Sequence, residues 1–464
     1  MSSLICPDNF AAMSITRHYL TVNGRRVHYR KAGKGPPLLM VHQSPRSSAE
    51  YEPLMRQWSE HFTCIAPDTP GFGQSDPLAD PKPEIDAFAD AIVEFADAVG
   101  IEKIAGYGFH SGGIILVTAM KRHIEKFSVL AIGGYAIWND DERKLLGDPY
   151  IPPNPPKPYG EHLVWLWNRV LEQSWYFPWF LPQDSTRLPG ANDDPARVHE
   201  IILELLDAGE AYRLGYGAVL RGSRDIPPRG MASPPVLITA YAGDPLKPHL
   251  ERLGEMPASW SAHGVGTAAD HYTASLAHLL KHAPDAGSDF RQDESQGFLP
   301  INTGGFTGNI HWQGDRATGH MIIHAPGREA ELVAGDAVRI DLPGHGLSSQ
   351  WPGAAPTRWA PWQAVIDAVA AHFDITQVRH EPLAEGEPDR LFPDLSPDRF
   401  GNYLTAAWAI VRASHIFAPW YAASRDSIIA IDAEALAPDR LVREHRALIR
   451  ATAARAMHRA RMAG

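Results

Sequence analysis

The stretch EKIAGYGFHSGGIILVTAM, from Glu102 to Met120, restricts the fold more than any other. A short apolar run passes through a glycine-rich turn and straight into an apolar segment of helical length, with no loop between them. The chain before it keeps the same alternation. HYLTVNG and RRVHYRKAG read as a hairpin. PPLLMVH and FTCIAPD are apolar runs too short for helices, and DAFADAIVEFADAV carries helical spacing with Gly100 as its stop. Strands alternating with helices in this way predict a mostly parallel sheet with helices on both faces. The pattern resumes at PPVLITAY, passes AGDPLKP and closes with the helix HYTASLAHLLKH.

Between residues 151 and 230 the texture changes. IPPNPPKP is a proline-rich linker, and HLVWLWNRVLEQSWYFPWF is helix-like and rich in tryptophan, which predicts a helical cap. The chain then repeats itself. FTGNIHWQGDRATGHMIIHAPG (306–327) is matched to residues 22–45, pairing His28 and Tyr29 with His311 and Trp312, and His42 with His324. DTPGFGQS at Asp68 recurs as DLPGHGLS at Asp341. In the cap, Gly160, Leu163, Trp167, Val170, Pro178 and Trp179 are matched by Gly401, Leu404, Trp408, Val411, Pro419 and Trp420, every pair 241 positions apart. From Gly73 to Gly160 the chain runs 87 positions, but from Gly346 to Gly401 only 55. The shortfall corresponds to the strand–GYGFHSGG–helix unit, and nothing after the second cap matches VLITAYAGDPL. A partial, degenerate second copy at the C-terminus is therefore expected. The predicted boundaries are a core at 1–150 and 231–285, a cap at 151–230, a second partial core at 286–400 and a second cap-like helical segment at 401–464.

These residues resemble the α/β-hydrolase superfamily over roughly 18–284 and, in degraded form, 306–464. They are similar to a subgroup with HQ-[ST]-P-R-S after the third strand and a G-x-H-[ST]-G elbow. The resemblance implies an α/β-hydrolase fold whose nucleophile sits at the centre of G-x-nucleophile-x-G, on a strained strand-to-helix turn. With His110 central, the flanking residues are Gly108 and Gly112, as the turn demands. With Ser111 central, the bulky Phe109 would occupy a position that needs a small residue. Register favours His110, and Ser111 remains as a shifted nucleophile. The resemblance further implies oxyanion donors at the backbone N–H groups of Ser111 and Gln43 and an acid at Asp244. It also implies a histidine partner. Counting back from the last helix gives His263, the preferred position, while counting forward from Asp244 gives His271, which stands where a solvated capping role is equally natural.

Other residues carry a functional and a plain reading side by side. His42 stands beside the oxyanion loop, where the superfamily's histidine is often structural. Arg46 could hold an anionic substrate through a bidentate contact or simply be solvated. Trp165 and Trp175 could line an aromatic pocket, although helical spacing equally predicts cap packing.

The implied activity is a cofactor-independent hydrolase acting on a small organic ester, lactone, thioester or carbon–carbon bond. A histidine at the elbow favours non-covalent acid/base chemistry, and also admits a lyase or decarboxylase, or a ligand-binding protein that has lost its chemistry. No metal motif or dinucleotide fingerprint appears. A net charge of −11 without a basic-aromatic tract argues against nucleic acid. No apolar run is long enough for a bilayer, the N-terminus lacks a secretory pattern, and the chain contains only Cys6 and Cys64. A cytoplasmic protein with a small-molecule substrate is expected, and the tryptophan-rich caps also allow a homodimer. The register generates a direct test. After treatment with a serine-reactive fluorophosphonate, mass spectrometry should find Ser111 unmodified; an adduct there that depends on Asp244 would restore an ordinary serine hydrolase.

Overall fold

The computed structural model describes residues 15–190, 194–285 and 290–463, so Cys6 lies outside the described residues. The chain divides into two compact units. The first comprises Met1–Asn154, Arg169–Asp193 and Glu200–Asp293, and the second Pro155–Asn168, Asp194–His199 and Glu294–Gly464.

In the first unit the elements run β1 (Thr16–Val22), β2 (Arg25–Ala32), β3 (Pro37–Val41), α1 (Glu52–Trp58), β4 (Thr63–Pro67), α2 (Ile85–Val99), β5 (Ile104–Phe109), α3 (Ser111–Arg122), β6 (Phe127–Gly133) and α4 (Asp140–Leu146). Helices α5 (Glu161–Gln173) and α6 (Pro195–Ala208) straddle the two units. α7 (Tyr212–Arg221), β7 (Val236–Tyr241), β8 (Trp260–Val265) and α8 (Ala268–His282) complete the first. Its eight strands lie in the order β1-β2-β4-β3-β5-β6-β7-β8. β1, β2 and β4 pair antiparallel, and the strands from β4 through β3 to β8 pair parallel. Every residue of β3 and β4 is buried, which explains why these strands read as continuous apolar runs rather than alternating ones. α2 turns Ile85, Phe88, Ile92, Phe95 and Val99 inward at helical spacing, and Gly100 ends it in the left-handed region at φ 101°. This is an α/β-hydrolase fold.

The second unit contains β9 (Gln296–Thr303), β10 (Phe306–Gln313), β11 (His320–Ile323), β12 (Val338–Ile340), α9 (Trp359–His372), β13 (Gln377–His380), α10 (Pro388–Leu391), α11 (Asn402–Ser414), α12 (Pro438–Arg450) and α13 (Ala454–Ala463). Read from the hairpin edge, its sheet runs β9-β10-β12-β11-β13, the order and strand senses of β1-β2-β4-β3-β5 in the first unit. The expectation that the strand before the elbow is missing here is corrected. β13 pairs with β11 as β5 pairs with β3. Beyond β13 the chain continues into Glu381–Pro382, with no glycine elbow and no apolar helix. Among the described residues no helix is long and apolar enough to cross a membrane.

The same polar network is built in both sheets. In the first unit, the buried Asp68 accepts from His28 Nδ1 at 2.8 Å, from the Gln74 N–H at 2.9 Å and from the Ser48 N–H at 2.9 Å. In the second, Asp341 accepts from His311 Nδ1 at 2.8 Å, the Leu347 N–H at 2.9 Å and the Ala330 N–H at 2.6 Å. Burial pushes His28 down to about 3, so the neutral ring donates Nδ1–H, while Nε2 accepts from Arg17 at 3.1 Å. Burial opposes ionisation of Asp68, but His28, Arg30 and His42 outweigh it and hold the carboxyl far below its usual range.

The units cut across the expected cap because the start of α5 packs on α11. A Cβ on Gly160 would come 2.9 Å from the Trp408 ring, and one on Gly401 would overlap the Trp167 ring. Both glycines also have positive φ, 82° and 70°. Each glycine thus receives the other segment's tryptophan, a reciprocal contact of the isologous kind. Gly401→Ala should cost about 2–4 kcal/mol in urea unfolding, from ring displacement plus left-handed strain. An unchanged midpoint would show that this contact carries no stability.

Candidate active site

β5 delivers the chain to the elbow near the middle of the first sheet. His110 stands at φ 48°, ψ −114°, a strained conformation for a residue with a side chain. The glycines around it are obligatory. A Cβ on Gly108 would lie 2.6 Å from the Gly112 carbonyl carbon, and a Cβ on Gly112 would overlap the Val41 carbonyl oxygen. His110 N–H donates to the Gly133 carbonyl at 2.8 Å, and its own carbonyl accepts the Ile114 N–H at 3.1 Å as α3 begins.

The imidazole meets Asp244 directly. His110 Nε2 lies 3.0 Å from Asp244 Oδ1, which also accepts the Leu246 N–H at 2.8 Å. The Asp244 side chain is fully buried, while that of His110 is 23% exposed. Burial would raise the Asp244 carboxyl, but hydrogen bonds from His110 and Leu246 overcome it and hold the group below its ordinary value. An ionised Asp244 accepts only, so His110 Nε2 carries a proton, and in the neutral ring the lone pair is on Nδ1. Gly134 makes room for the pair, since a Cβ there would come 2.5 Å from His110 Cδ2 and 2.6 Å from Asp244 Oδ2. Sequence reasoning passed over Gly134. Its signal was the Gly133–Gly134 doublet closing an apolar run.

His110 opens on a cavity of about 230 Å³. Gln43, Ser44 and Ser111 share its wall with His110. Phe109, Trp138, Tyr150, Phe177, Tyr216 and Tyr241 supply most of the aromatic surface. Among the described residues no Lys, Arg, Asp or Glu lines it, and no three His, Cys, Asp or Glu side chains form a metal-binding group.

The other expected residues divide. Ser111 lines the cavity, but its hydroxyl accepts the Ser44 N–H at 2.6 Å and lies 3.1 Å from Ser44 Oγ, so its bonds run to Ser44 and not to an imidazole. Its N–H is in the first turn of α3, where no intrahelical acceptor exists. Gln43 is corrected as an oxyanion donor, because its N–H is spent on Glu50 Oε1 at 2.7 Å. His263 is corrected as the triad histidine: it lies within the edge strand β8, exposed, opposite Thr239. His271 is not a solvated cap either. Thr267 and Asp270 form the capping box of α8, and His271 is buried between Tyr107 Oη (2.9 Å) and Thr239 Oγ1 (2.5 Å). Burial pushes it down to about 4.

His42 is buried away from the cavity wall. It donates from Nδ1 to the Gln43 carbonyl at 2.9 Å and accepts the Thr69 N–H on Nε2 at 2.9 Å. Arg46 is neither solvated nor free for a substrate; it forms a two-pronged pair with Glu204 at 2.8 and 3.1 Å. Trp165 and Trp175 are half-buried and line no part of the cavity.

Residues 36–148 match the family model described as alpha/beta hydrolase fold. Haloalkane dehalogenase 2 of Mycobacterium bovis is 29% identical over 135 residues, 29% of this chain and 47% of that protein. A soluble epoxide hydrolase of Corynebacterium sp. is 35% identical over 103 residues, covering 22% and 35%. A cis-3-alkyl-4-alkyloxetan-2-one decarboxylase of Shewanella oneidensis is 30% identical over 124 residues, covering 25% and 37%. The chain spans less than half the length of each of these relatives.

The two histidines that sequence counting could not separate are separable by experiment. His271→Ala would strip the Tyr107 and Thr239 hydroxyls of a buried partner and should cost about 2–4 kcal/mol in denaturant unfolding. His263→Ala should stay within about 0.5 kcal/mol of the parent. The reverse ranking would overturn this assignment of a buried bracing role to His271 and an exposed one to His263.

Proposed function

We propose that the first unit is a cofactor-independent enzyme acting on a small, uncharged organic molecule, with His110 Nδ1 as its base. The observation that carries this is the His110–Asp244 contact at the strained elbow, which fixes the tautomer of the neutral ring on a residue that lines the cavity. The base takes a proton from water, the resulting hydroxide adds to an ester, lactone, thioester or carbon–carbon substrate, and the imidazolium returns the proton to the leaving group. Asp244 stabilises the imidazolium during that interval, the role a buried carboxylate plays behind a catalytic histidine. A cavity without charged walls suits an uncharged substrate. So do the names of the relatives, since haloalkanes, epoxides and oxetanones are all uncharged.

A second reading, a lyase or decarboxylase, is favoured by the loss of Gln43 N–H to Glu50. With only the Ser111 N–H left from the expected pair, a tetrahedral oxyanion is held less strongly, and chemistry that begins by deprotonating the substrate gains ground. Residues 294–463 fit a degenerate copy of the same architecture, whose sheet stops before the elbow and which supplies no counterpart of His110.

A panel of neutral esters, lactones and thioesters tests the assignment. On any substrate turned over, His110→Ala should lower kcat/KM by about 10²–10⁴-fold and Asp244→Asn by at least about 10²-fold. Ser111→Ala should stay within about tenfold. Activity that survives His110→Ala and vanishes in Ser111→Ala would sink the proposal, and tight binding without turnover across the panel would favour a ligand-binding protein.

A further inference from the structure

Gln43 is held on nearly every polar atom. Its N–H donates to Glu50 Oε1 at 2.7 Å and its Nε2 to Glu50 Oε2 at 2.9 Å. Its carbonyl accepts from His42 Nδ1 at 2.9 Å and from the Arg46 N–H at 3.0 Å. Oε1 is the polar atom left over, on a residue that lines the cavity beside Ser44, His110 and Ser111. A carboxylate can only accept, so an ionised Glu50 dictates which end of the amide faces it.

We propose that Glu50 is a positioning residue that sets the polarity of the cavity at Gln43, selecting ligands that bring a hydroxyl or N–H donor to Gln43 Oε1. This rests on reading the cavity as the ligand site, but not on His110 being the base. When Glu50 takes up a proton, its O–H donates to Gln43 Oε1 and the amide turns over. The other carboxyl oxygen keeps the backbone N–H, and the cavity then meets an NH₂ donor in place of an acceptor. The surroundings of Glu50 bring this exchange near neutrality. Burial pushes its carboxyl up to about 7; Arg46 and the Gln43 bonds pull it down, and Glu204 pushes it up. The Tyr51 and Tyr107 phenols also face it, both held neutral far above their usual range by burial.

The test uses the full chain labelled with ¹⁵N-glutamine, with the Gln43 side-chain amide assigned by its loss in Gln43→Met. That resonance should titrate with one midpoint near 7, lose the titration in Glu50→Gln and keep it in His110→Ala. Binding of 4-fluorophenol and 4-fluoroanisole, followed by ¹⁹F NMR, supplies the second readout. Above the midpoint the phenol should bind about fivefold more tightly than the ether, one hydrogen bond's worth. The preference should disappear below the midpoint and in Gln43→Met. A Gln43 resonance that ignores pH, a titration that persists in Glu50→Gln, or equal affinities throughout would overturn the proposal. Binding of neither probe would overturn its premise about the cavity. The base assignment is judged separately, by turnover in His110→Ala.

Discussion

The buried carboxylate after β4 is the constraint on which the first unit's loops depend. Asp68 gathers N–H groups from the segment after β3 and from the glycine turn, and takes the His28 ring from the hairpin. Fixing these together sets the path of residues 42–50, of which Gln43 and Ser44 line the cavity. The arrangement leaves no space for variation at the turn, since a Cβ on Gly73 would overlap the Asp68 carboxylate. Asp341 and Gly346 stand in the same relation in the second unit. An ion in the interior is costly unless its lone pairs are filled, and here four donors from three segments, the Ser48 hydroxyl among them, fill them. Removing any one donor loosens a loop and exposes the cost of the charge at the same time.

Above this frame, the proposed chemistry is concentrated in two residues. A histidine at the elbow already occupies the place from which a nucleophile would face the cavity, and Asp244 reaches it without an intermediary. Gly134 is what allows this close approach. On that proposal the third member implied by the superfamily resemblance has no role to fill; His271 braces Tyr107 and Thr239 within the core. The strain at His110 is thus confined to one backbone position and held there by glycines on both sides and by the carbonyl of Gly133.

Much of this was legible in the sequence because it is local. Apolar runs, helical spacing and the Gly100 stop placed β3, β4, α2, β5 and β7. The requirement for small residues at 108 and 112 put His110 at the centre of the turn. What sequence could not reach was partner choice at a distance. Arg46 reads as a free cation until Glu204, 158 positions away, is seen to hold it. Gln43 reads as an amide donor until Glu50 takes its N–H. β13 was invisible because QVRH is a polar, fully exposed edge strand with no apolar run, and His263 was misplaced because counting back from the last helix cannot reveal that it stands within the largely exposed edge strand β8.

The second unit adds an argument about the first. Ala325 occupies the position of Gln43, one residue after the matching histidine, and its N–H also ends on a carboxylate, Glu381 Oε2 at 2.9 Å. The two carboxylates come from unrelated places. Glu50 lies eight residues after His42, whereas Glu381 comes directly after β13, at the point where the first unit carries Phe109. A bond made in both units by non-equivalent residues points to a requirement of the loop itself. With His42 or His324 drawing the carbonyl of the next residue toward its ring, the N–H on the other side of that residue is left to face partly buried space, where an unpaired donor costs about 1–3 kcal/mol. A carboxylate relieves that cost wherever the chain can supply one. On this argument the N–H of Gln43 is a structural donor first, and whatever the site does with developing negative charge must be done by the Ser111 end of the cavity.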